Sequence, residues 1–561
     1  MGVAVLPFEN LSEDKENAFF ASGVHDEILT NLATIKDFRV ISRTSVRGYA
    51  DTLLRIPDIA GQLGVSHVME GSVRRSGDRV RVTVLLIDAV NDQQIWSESY
   101  DRTLLDIFAI QSDIARQIVS NIQGELSPEL YADIGARSTE DTAAYDLYLQ
   151  ARAGFQSDIR SAVILEEPLR LIRQALAIDP NFVEAWVELV RICGGLVWWD
   201  RPEYAECAYE ALLQLRLLAP QNPRRVVAEG IYAYRIDRDF PKALELLRPM
   251  ASELPNDAAL LKFIHYSARR TARWDEAVAA MQKVILLGPR DESNHDDLLV
   301  TLAARGNWQE AVRFGEEAAA KFPDNRLLPF LAADLRRKYA GDLSAYGPAM
   351  LALTPSLRPA YGNPWIAGVF PDHQARRQWV AEAIGSGVVR PRWATAIEIT
   401  HHRLEGRSLE ARALSKEMFR QVQFELSDNL EREGPFNLSL LAMLAASAGD
   451  ETTARRAIAL VKAKREKEYD HLMEDNRMFI VAAYLELGDL DGAWEELKVL
   501  RTMALGPTVW DLRQDLVLQN YFANYPPFET FVSSANGVGK LVSSDSTNLR
   551  PDLKQPPYSI R

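Results

Sequence analysis

Asp239-Phe240-Pro241-Lys242-Ala243, Arg273-Trp274-Asp275-Glu276-Ala277 and Asn307-Trp308-Gln309-Glu310-Ala311 follow one another at intervals of 34 residues. Pro255, Pro289 and Pro323 keep the same interval. A fixed period of this length marks one supersecondary unit used repeatedly; a single unit cannot bury its apolar face alone, so units stack. A small alanine lets the two helices of a unit approach closely. A proline between units stops the second helix, because it lacks an N–H and clashes with the preceding turn. Each unit is therefore predicted to be a helix–turn–helix.

Outside this window the period loosens. Leu176-Ala177-Ile178-Asp179-Pro180 and Leu217-Leu218-Ala219-Pro220 end earlier units, and Ala448-Gly449-Asp450 and Leu487-Gly488-Asp489-Leu490-Asp491-Gly492-Ala493 read as turns between paired helices. Helical repeats are predicted over 140–340, an irregular or degenerate Pro- and Gly-rich stretch over 341–395, and further helical repeats over 396–530. Residues 533–561, rich in Ser, Asn and Pro, are predicted to be a disordered tail. The array resembles the tetratricopeptide family. It departs where that family has glycine or another small residue, here Ile231, His265 and Leu299, and where it often has Trp, here Val227, Leu261 and His295. The resemblance implies that the first helix of each unit lines a concave wall. The 34-residue register then carries Arg225, Tyr232, Arg235, Lys262, Tyr266, Arg269 and Arg270 to that wall. Basic and aromatic groups in a groove suit an acidic peptide segment of a protein partner, through forked guanidinium contacts and stacking. The plainer alternative is that these cations solvate the groove or pair with neighbouring acids.

Residues 1–126 mix strands and helices. Val3 to Leu6 is a continuous apolar run, the mark of a strand covered on both faces. Ser22 is expected to cap a helix carrying Val24, Ile28, Leu29 and Leu32, with Asp26 and Glu27 in its first turn. Arg39 to Ser42 is a short strand and Ile59 to Leu63 a short helix. Val68 to Arg75 turns at Ser76-Gly77-Asp78 and returns as Arg79 to Asp88, where Val80, Val82, Val84 and Leu86 share a face; Gln94 to Glu98 follows a further turn. Ile107, Ile110, Ile114, Ile118 and Ile122 define a closing helix. Trp96 and Phe108 are expected in the core. Arg43, Arg47, Arg74, Arg75, Arg79 and Arg81 offer an anion-binding surface, or simply the polar side of strands. Val3-Ala4-Val5-Leu6-Pro7-Phe8-Glu9-Asn10-Leu11-Ser12, Val40-Ile41-Ser42-Arg43-Thr44-Ser45, Met69-Glu70-Gly71-Ser72-Val73-Arg74-Arg75 and Trp96-Ser97-Glu98-Ser99-Tyr100-Asp101-Arg102 resemble a TolB-N-like α/β domain. In bacterial signalling proteins that module often follows a class III adenylate cyclase, protein kinase or winged-helix domain. The resemblance implies a signalling context, and the abrupt opening strand suggests that such a preceding domain is missing.

Composition narrows the function. The chain has 561 residues and a formal charge of −14, which argues against direct nucleic-acid binding. Cys193 and Cys207 are too few for a disulfide framework or a four-cysteine zinc site and are expected as buried thiols. No apolar run reaches membrane-spanning length and the N-terminus is no signal peptide, so a cytoplasmic location is expected. Gly537-Val538-Gly539-Lys540 is followed by Leu541, and Ser534 replaces the first glycine of a phosphate-binding loop. His401 and His402 are adjacent and point to different helix faces, so they cannot chelate together. The expectation is an α/β domain followed by an all-α superhelical solenoid, without catalytic residues, cofactor or metal, acting as a signalling scaffold. The alternative is the regulatory part of an adenylate cyclase-type system whose catalytic domain is absent from this chain. Oligomeric state is left open.

Overall fold

In a computed structural model of the chain, the described residues run from 2 to 534, apart from short gaps and the stretches 124–138, 155–164, 354–377, 383–394 and 501–517. They belong to two compact units: Met1–Ala268 with Asp275–Asn294, and Arg269–Trp274 with His295–Arg561. Most of 341–395, His401, the Gly537–Lys540 stretch and all of the predicted tail beyond Ser534 lie outside the described residues.

The first unit opens with a mixed sheet. Strands β1 (Gly2–Val5), β2 (Glu9–Asn10), β3 (Arg39–Val40), β4 (His67–Ser76), β5 (Arg79–Asp88) and β6 (Gln93–Thr103) take the order β3-β1-β4-β5-β6, with β2 also on β4. β1 pairs in parallel with β3 and β4, while β4, β5 and β6 form an antiparallel meander. The apolar run of β1 is explained by cover on both sides. Val3 and Val5 face α1 (Ala18–Ala33) and α4 (Ile107–Gln123) in one core cluster. Ala4 and Leu6 join Val46, Ile59 and Leu63, from α2 (Arg43–Val46) and α3 (Ile56–Leu63), in a second. On β5, Val80, Val82, Val84 and Leu86 are fully buried, while Arg79 and Arg81 are exposed and both reach Asp101 of β6, at 2.6 and 2.8 Å. Trp96 is half-buried against the first cluster rather than central to it. The side chain of Phe108 lies outside the described residues.

Two readings of this region are corrected. Helix α1 is already formed at Ala18, because Phe20 and Ala21 extend its buried stripe upstream. Ser22 therefore lies inside the helix, where its Oγ accepts from Arg43 Nη2 at 2.6 Å, and Asp26 and Glu27 sit buried in mid-helix. Cys193 and Cys207 are not free thiols: α7 (Val183–Trp198) and α8 (Ala205–Leu218) pair so that the two cysteines, with Cα atoms 6.3 Å apart, form a disulfide.

The helices from 142 onward come in pairs. In the first unit, α5 (Thr142–Gly154) packs on α6 (Glu166–Ile178), α7 on α8, and α9 (Pro223–Tyr232) on α10 (Phe240–Glu253); α11 (Ala258–Arg270) and α12 (Trp274–Leu287) follow. In the second, α13 (Glu292–Ala304), α14 (Trp308–Lys321), α15 (Leu327–Ala340) and α16 (Tyr346–Ala352) precede a bundle of α17 (Ser408–Glu425), α18 (Pro435–Ala448), α19 (Glu451–Lys467), α20 (Glu474–Glu486), α21 (Leu490–Leu500) and α22 (Pro526–Ser534). The period shows directly: α10, α12 and α14 begin at Phe240, Trp274 and Trp308. The close approach sought at Ile231 is made one residue earlier, where a Cβ on Gly230 would lie 2.5 Å from Leu247. The His295 ring lies 4.8 Å from that of Phe322. Ala277 is fully buried, and its carbonyl accepts from His265 Nδ1 at 2.9 Å. Ala277→Phe should therefore overpack the α11–α12 joint and lower stability by roughly 1–3 kcal/mol; an unchanged urea midpoint would remove this alanine from the joint.

Candidate interaction site

Within the first unit the sheet does not stand apart from the repeats. One cluster of buried apolar side chains runs from Val3 of β1 to Ala228 of α9. Helix α1 packs on α5, and a Cβ on Gly23 would lie 2.1 Å from Leu149. In an open sheet with helices on both faces, ligands commonly enter beyond the carboxyl ends of the strands where the strand order reverses. Here the order reverses between β1 and β4; on the other side of β1, the repeats' own turns cover the chain leaving β3. Asn256, in the turn before α11, donates through Nδ2 to the carbonyls of Phe38 at 2.7 Å and Ile35 at 3.0 Å, and its Oδ1 faces the Val40 amide at 3.5 Å. The turn before α13 adds two bonds: Ser42 N–H donates to the Leu287 carbonyl at 2.7 Å, and Arg290 N–H donates to Ser45 Oγ at 3.0 Å.

Beneath this contact lies a charged network. Arg43 donates to Asp26, and the His25 ring, bonded through Nε2 to the Val5 carbonyl at 2.8 Å, places Nδ1 3.5 Å from the same carboxylate. Burial pushes the Asp26 carboxyl up, but the His25 contact and the charges of Arg152 and Arg43 outweigh it and hold the pKa below the usual range. Burial dominates at Glu27, whose pKa is raised despite Arg152 and Arg224. Arg152 of α5 stands among Tyr148, Asp26, Glu188 and Glu27, and the phenol and these acids hold it more firmly protonated. Arg224 of α9 pairs with Asp257 at 3.5 Å. The network is largely buried and its charges compensate one another, a structural clamp more than an open binding site.

The predicted wall residues are placed as follows. In the first unit Arg225 pairs with Glu229 at 2.9 Å and Lys262 with Asp291 at 3.6 Å. Tyr232, Arg235 and Tyr266 are half-buried. Arg269 and Arg270 belong to the second unit and are 8% and 9% exposed; Arg269 meets Asp297 at 3.3 Å. Sequence reasoning missed the aromatic shelf around Arg235. Trp198 stacks on Tyr234 with centroids 5.2 Å apart, and Tyr234 also meets Phe263 and Tyr266 at 5.5 and 6.3 Å. The Arg235 guanidinium lies 5.8 Å from the Trp198 ring and 5.3 Å from that of Phe263; Arg238 lies 5.3 Å from Trp198. Tyr234 and Arg235 hang on a widened turn: Ala233–Asp237 is π-helical, and Arg238 closes it with φ of 55°, a backbone region costly for a side chain other than glycine. The 34-residue register carries no mark of such an inserted turn. Among the described residues no group of three or more His, Cys, Asp or Glu is placed to hold a metal, and no helix is long and apolar enough to cross a membrane.

Comparison with known proteins adds three findings. Residues 1–117 match the model of the second domain of HilA/YgeH-like transcriptional regulators. A Rhizobium meliloti (strain 1021) protein named "Putative adenylate cyclase 3" is 36% identical over 188 residues, which is 33% of this chain and 32% of that protein. The alignment thus spans about a third of the relative. The solved structure "Human IFIT1 dimer with PPP-AAAA" overlaps 64% of this chain and 79% of its own at 13% identity, with a TM-score of 0.35. The sheet-bearing region is thus regulator-like, and the rest of the described chain is helical.

Proposed function

We propose that the chain is a non-catalytic signalling scaffold of the cytoplasm. In this reading a TolB-N-like α/β domain is clamped in place by tetratricopeptide-type repeats, whose groove takes up an acidic segment of a protein partner. The observation that carries the groove reading is the Trp198–Tyr234–Phe263–Tyr266 shelf, with Arg235 held between rings on a π-helical turn. π-Turns and left-handed non-glycine residues are strained features that concentrate at functional sites. Ordered guanidinium planes suit carboxylates. The in-chain pairs of Arg225 and Lys262 make those residues modulators of the wall's potential. The test is affinity capture with the full chain, then binding of the retained protein to the wild type and to Arg235→Glu. Affinity should fall with rising salt and drop at least about tenfold in the variant, with no change in melting temperature. Equal affinity in the variant would end the groove reading.

A second reading rests on the 36% identity to a protein named as an adenylate cyclase. The chain would then be the regulatory part of a cyclase-type system, its effect read as altered cyclase output when this chain is added to a separate catalytic partner.

A further inference from the structure

β6 is the outermost strand of the sheet, and no described strand pairs with its outer edge. It is eleven residues long, and ten of them, all but Tyr100, are exposed or partly exposed. A long strand of this kind presents a row of backbone donors and acceptors that templates another strand. Natural edges are blunted by bulges and charges. The bulge of β6 sits near its start, at the register shift opposite Leu86/Ile87, and leaves Trp96 to Thr103 in regular register with β5.

We propose that two copies of this chain pair edge to edge through β6, antiparallel about Tyr100, to make one sheet continuous across the two-fold axis. The charges of the strand select both the partner and the register. In an antiparallel pair, residues directly opposite point to the same face, so a two-fold axis pairs residues of equal parity. With Tyr100 opposite its own copy, Glu98 faces Arg102 of the second copy, and Arg102 faces Glu98, giving two opposite-charge pairs. Asp101 then faces Ser99. Sliding the pair by one step towards the C-terminus sets Asp101 against Asp101, and two steps towards the N-terminus sets Glu98 against Glu98, both repulsive. Asp101 is already paired within the chain with Arg79 and Arg81, so Glu98 and Arg102, both exposed and on the face of Tyr100, are the charges left to meet a second copy. Tyr100 on the axis is buried at its own strand, with its hydroxyl 3.3 Å from Glu98, and Asp113 of α4 adds to the negative field beside it. Arg102 of the second copy is brought beside Glu98 there.

The test is light scattering coupled to size-exclusion chromatography on the full chain over a range of concentrations. The wild type should approach twice the 63.0 kDa of one chain. Glu98→Arg and Arg102→Glu each place like charges across both symmetry-related pairs and should raise the dissociation constant at least about tenfold, while the double exchange should return it close to wild type. Hydrogen exchange on the wild type is the second readout: β6 amides should gain protection as concentration rises, while those of β3 do not. A monomeric wild type at its highest soluble concentration overturns the proposal. So does a dimer indifferent to both single exchanges, or β6 exchange independent of concentration. If either variant fails to fold, the exchange measurement decides.

Discussion

Asn256→Leu should loosen the α/β region from the repeats and cost about 2–4 kcal/mol, because it leaves several loop groups unpaired while keeping the side-chain volume. The wild-type amide donates to the carbonyls of Phe38 and Ile35 at 2.7 and 3.0 Å and faces the Val40 amide at 3.5 Å. A leucine offers neither donor nor acceptor, so each buried partner keeps its desolvation cost without its bond. The loss should also be local before it is global. Val40 N–H and Ser42 N–H lie on the same connection, the second held by the Leu287 carbonyl, so their exchange protection should fall together while that of β5 stays high. Asn256→Asp sharpens the test: it keeps the acceptor, removes the donor and turns a carboxylate towards two carbonyls, so it should be worse than leucine. An unchanged urea midpoint in both variants, or equal loss of protection across the sheet, would show that Asn256 does not hold this contact.

The sequence foretold elements better than it foretold how they meet. The 34-residue period located α9 to α14, since alanine and proline at fixed offsets act within one unit, and the starts of α10, α12 and α14 keep the interval. Alternation foretold the β4–β5 pair and its buried face, because a period of two is a local property. What escaped is long-range or compensatory. The Asn256 bonds join residues more than two hundred positions apart, and no periodicity marks them. Ser22 looked like a cap because serine before an apolar run is a local signal; Arg43, brought from beyond β3, gives it another role. The wall residues followed from a register alone. The widened turn at Ala233–Asp237, by contrast, goes with aromatic packing that includes Trp198, a residue of another repeat. The cysteine pair was hidden for the same reason: its closeness depends on how α7 lies against α8.

The charged network makes the other large effect an issue of balance. Arg152→Met removes the cation that α5 places among Tyr148, Asp26, Glu188 and Glu27, and it should destabilise the first unit by about 3–5 kcal/mol, the range for a buried charge set deprived of a counter-ion. Methionine keeps an unbranched apolar stem and loses the guanidinium that lies 5.7 Å from the Tyr148 ring centroid, so the loss reports on the charged group more than on volume. The pH dependence has two opposing parts. The Asp26 pKa is lowered by folding, so its stabilisation is present above the unfolded carboxylate value of about 4 and disappears as pH falls through the lower folded value. The Glu27 pKa is raised, so the folded state holds a proton that the unfolded chain releases. Its contribution is favourable at low pH and is lost as pH rises from the unfolded value, about 4.3, through the folded one. In Arg152→Met both carboxyls lose one compensating charge, Asp26 keeping Arg43 and Glu27 keeping Arg224, and both folded pKa values move up. The variant's deficit should therefore be greatest near neutral pH and shrink on mild acidification, as the network takes up protons before the wild type does. Asp26→Asn in the Arg152→Met background should cost less than in the wild type, because the carboxylate it removes is then unpaired from α5. Urea unfolding at several pH values, with exchange protection followed in α1 and α5, reads both effects. A deficit constant with pH, or additive single and double variants, would mean that Arg152 stabilises by packing alone.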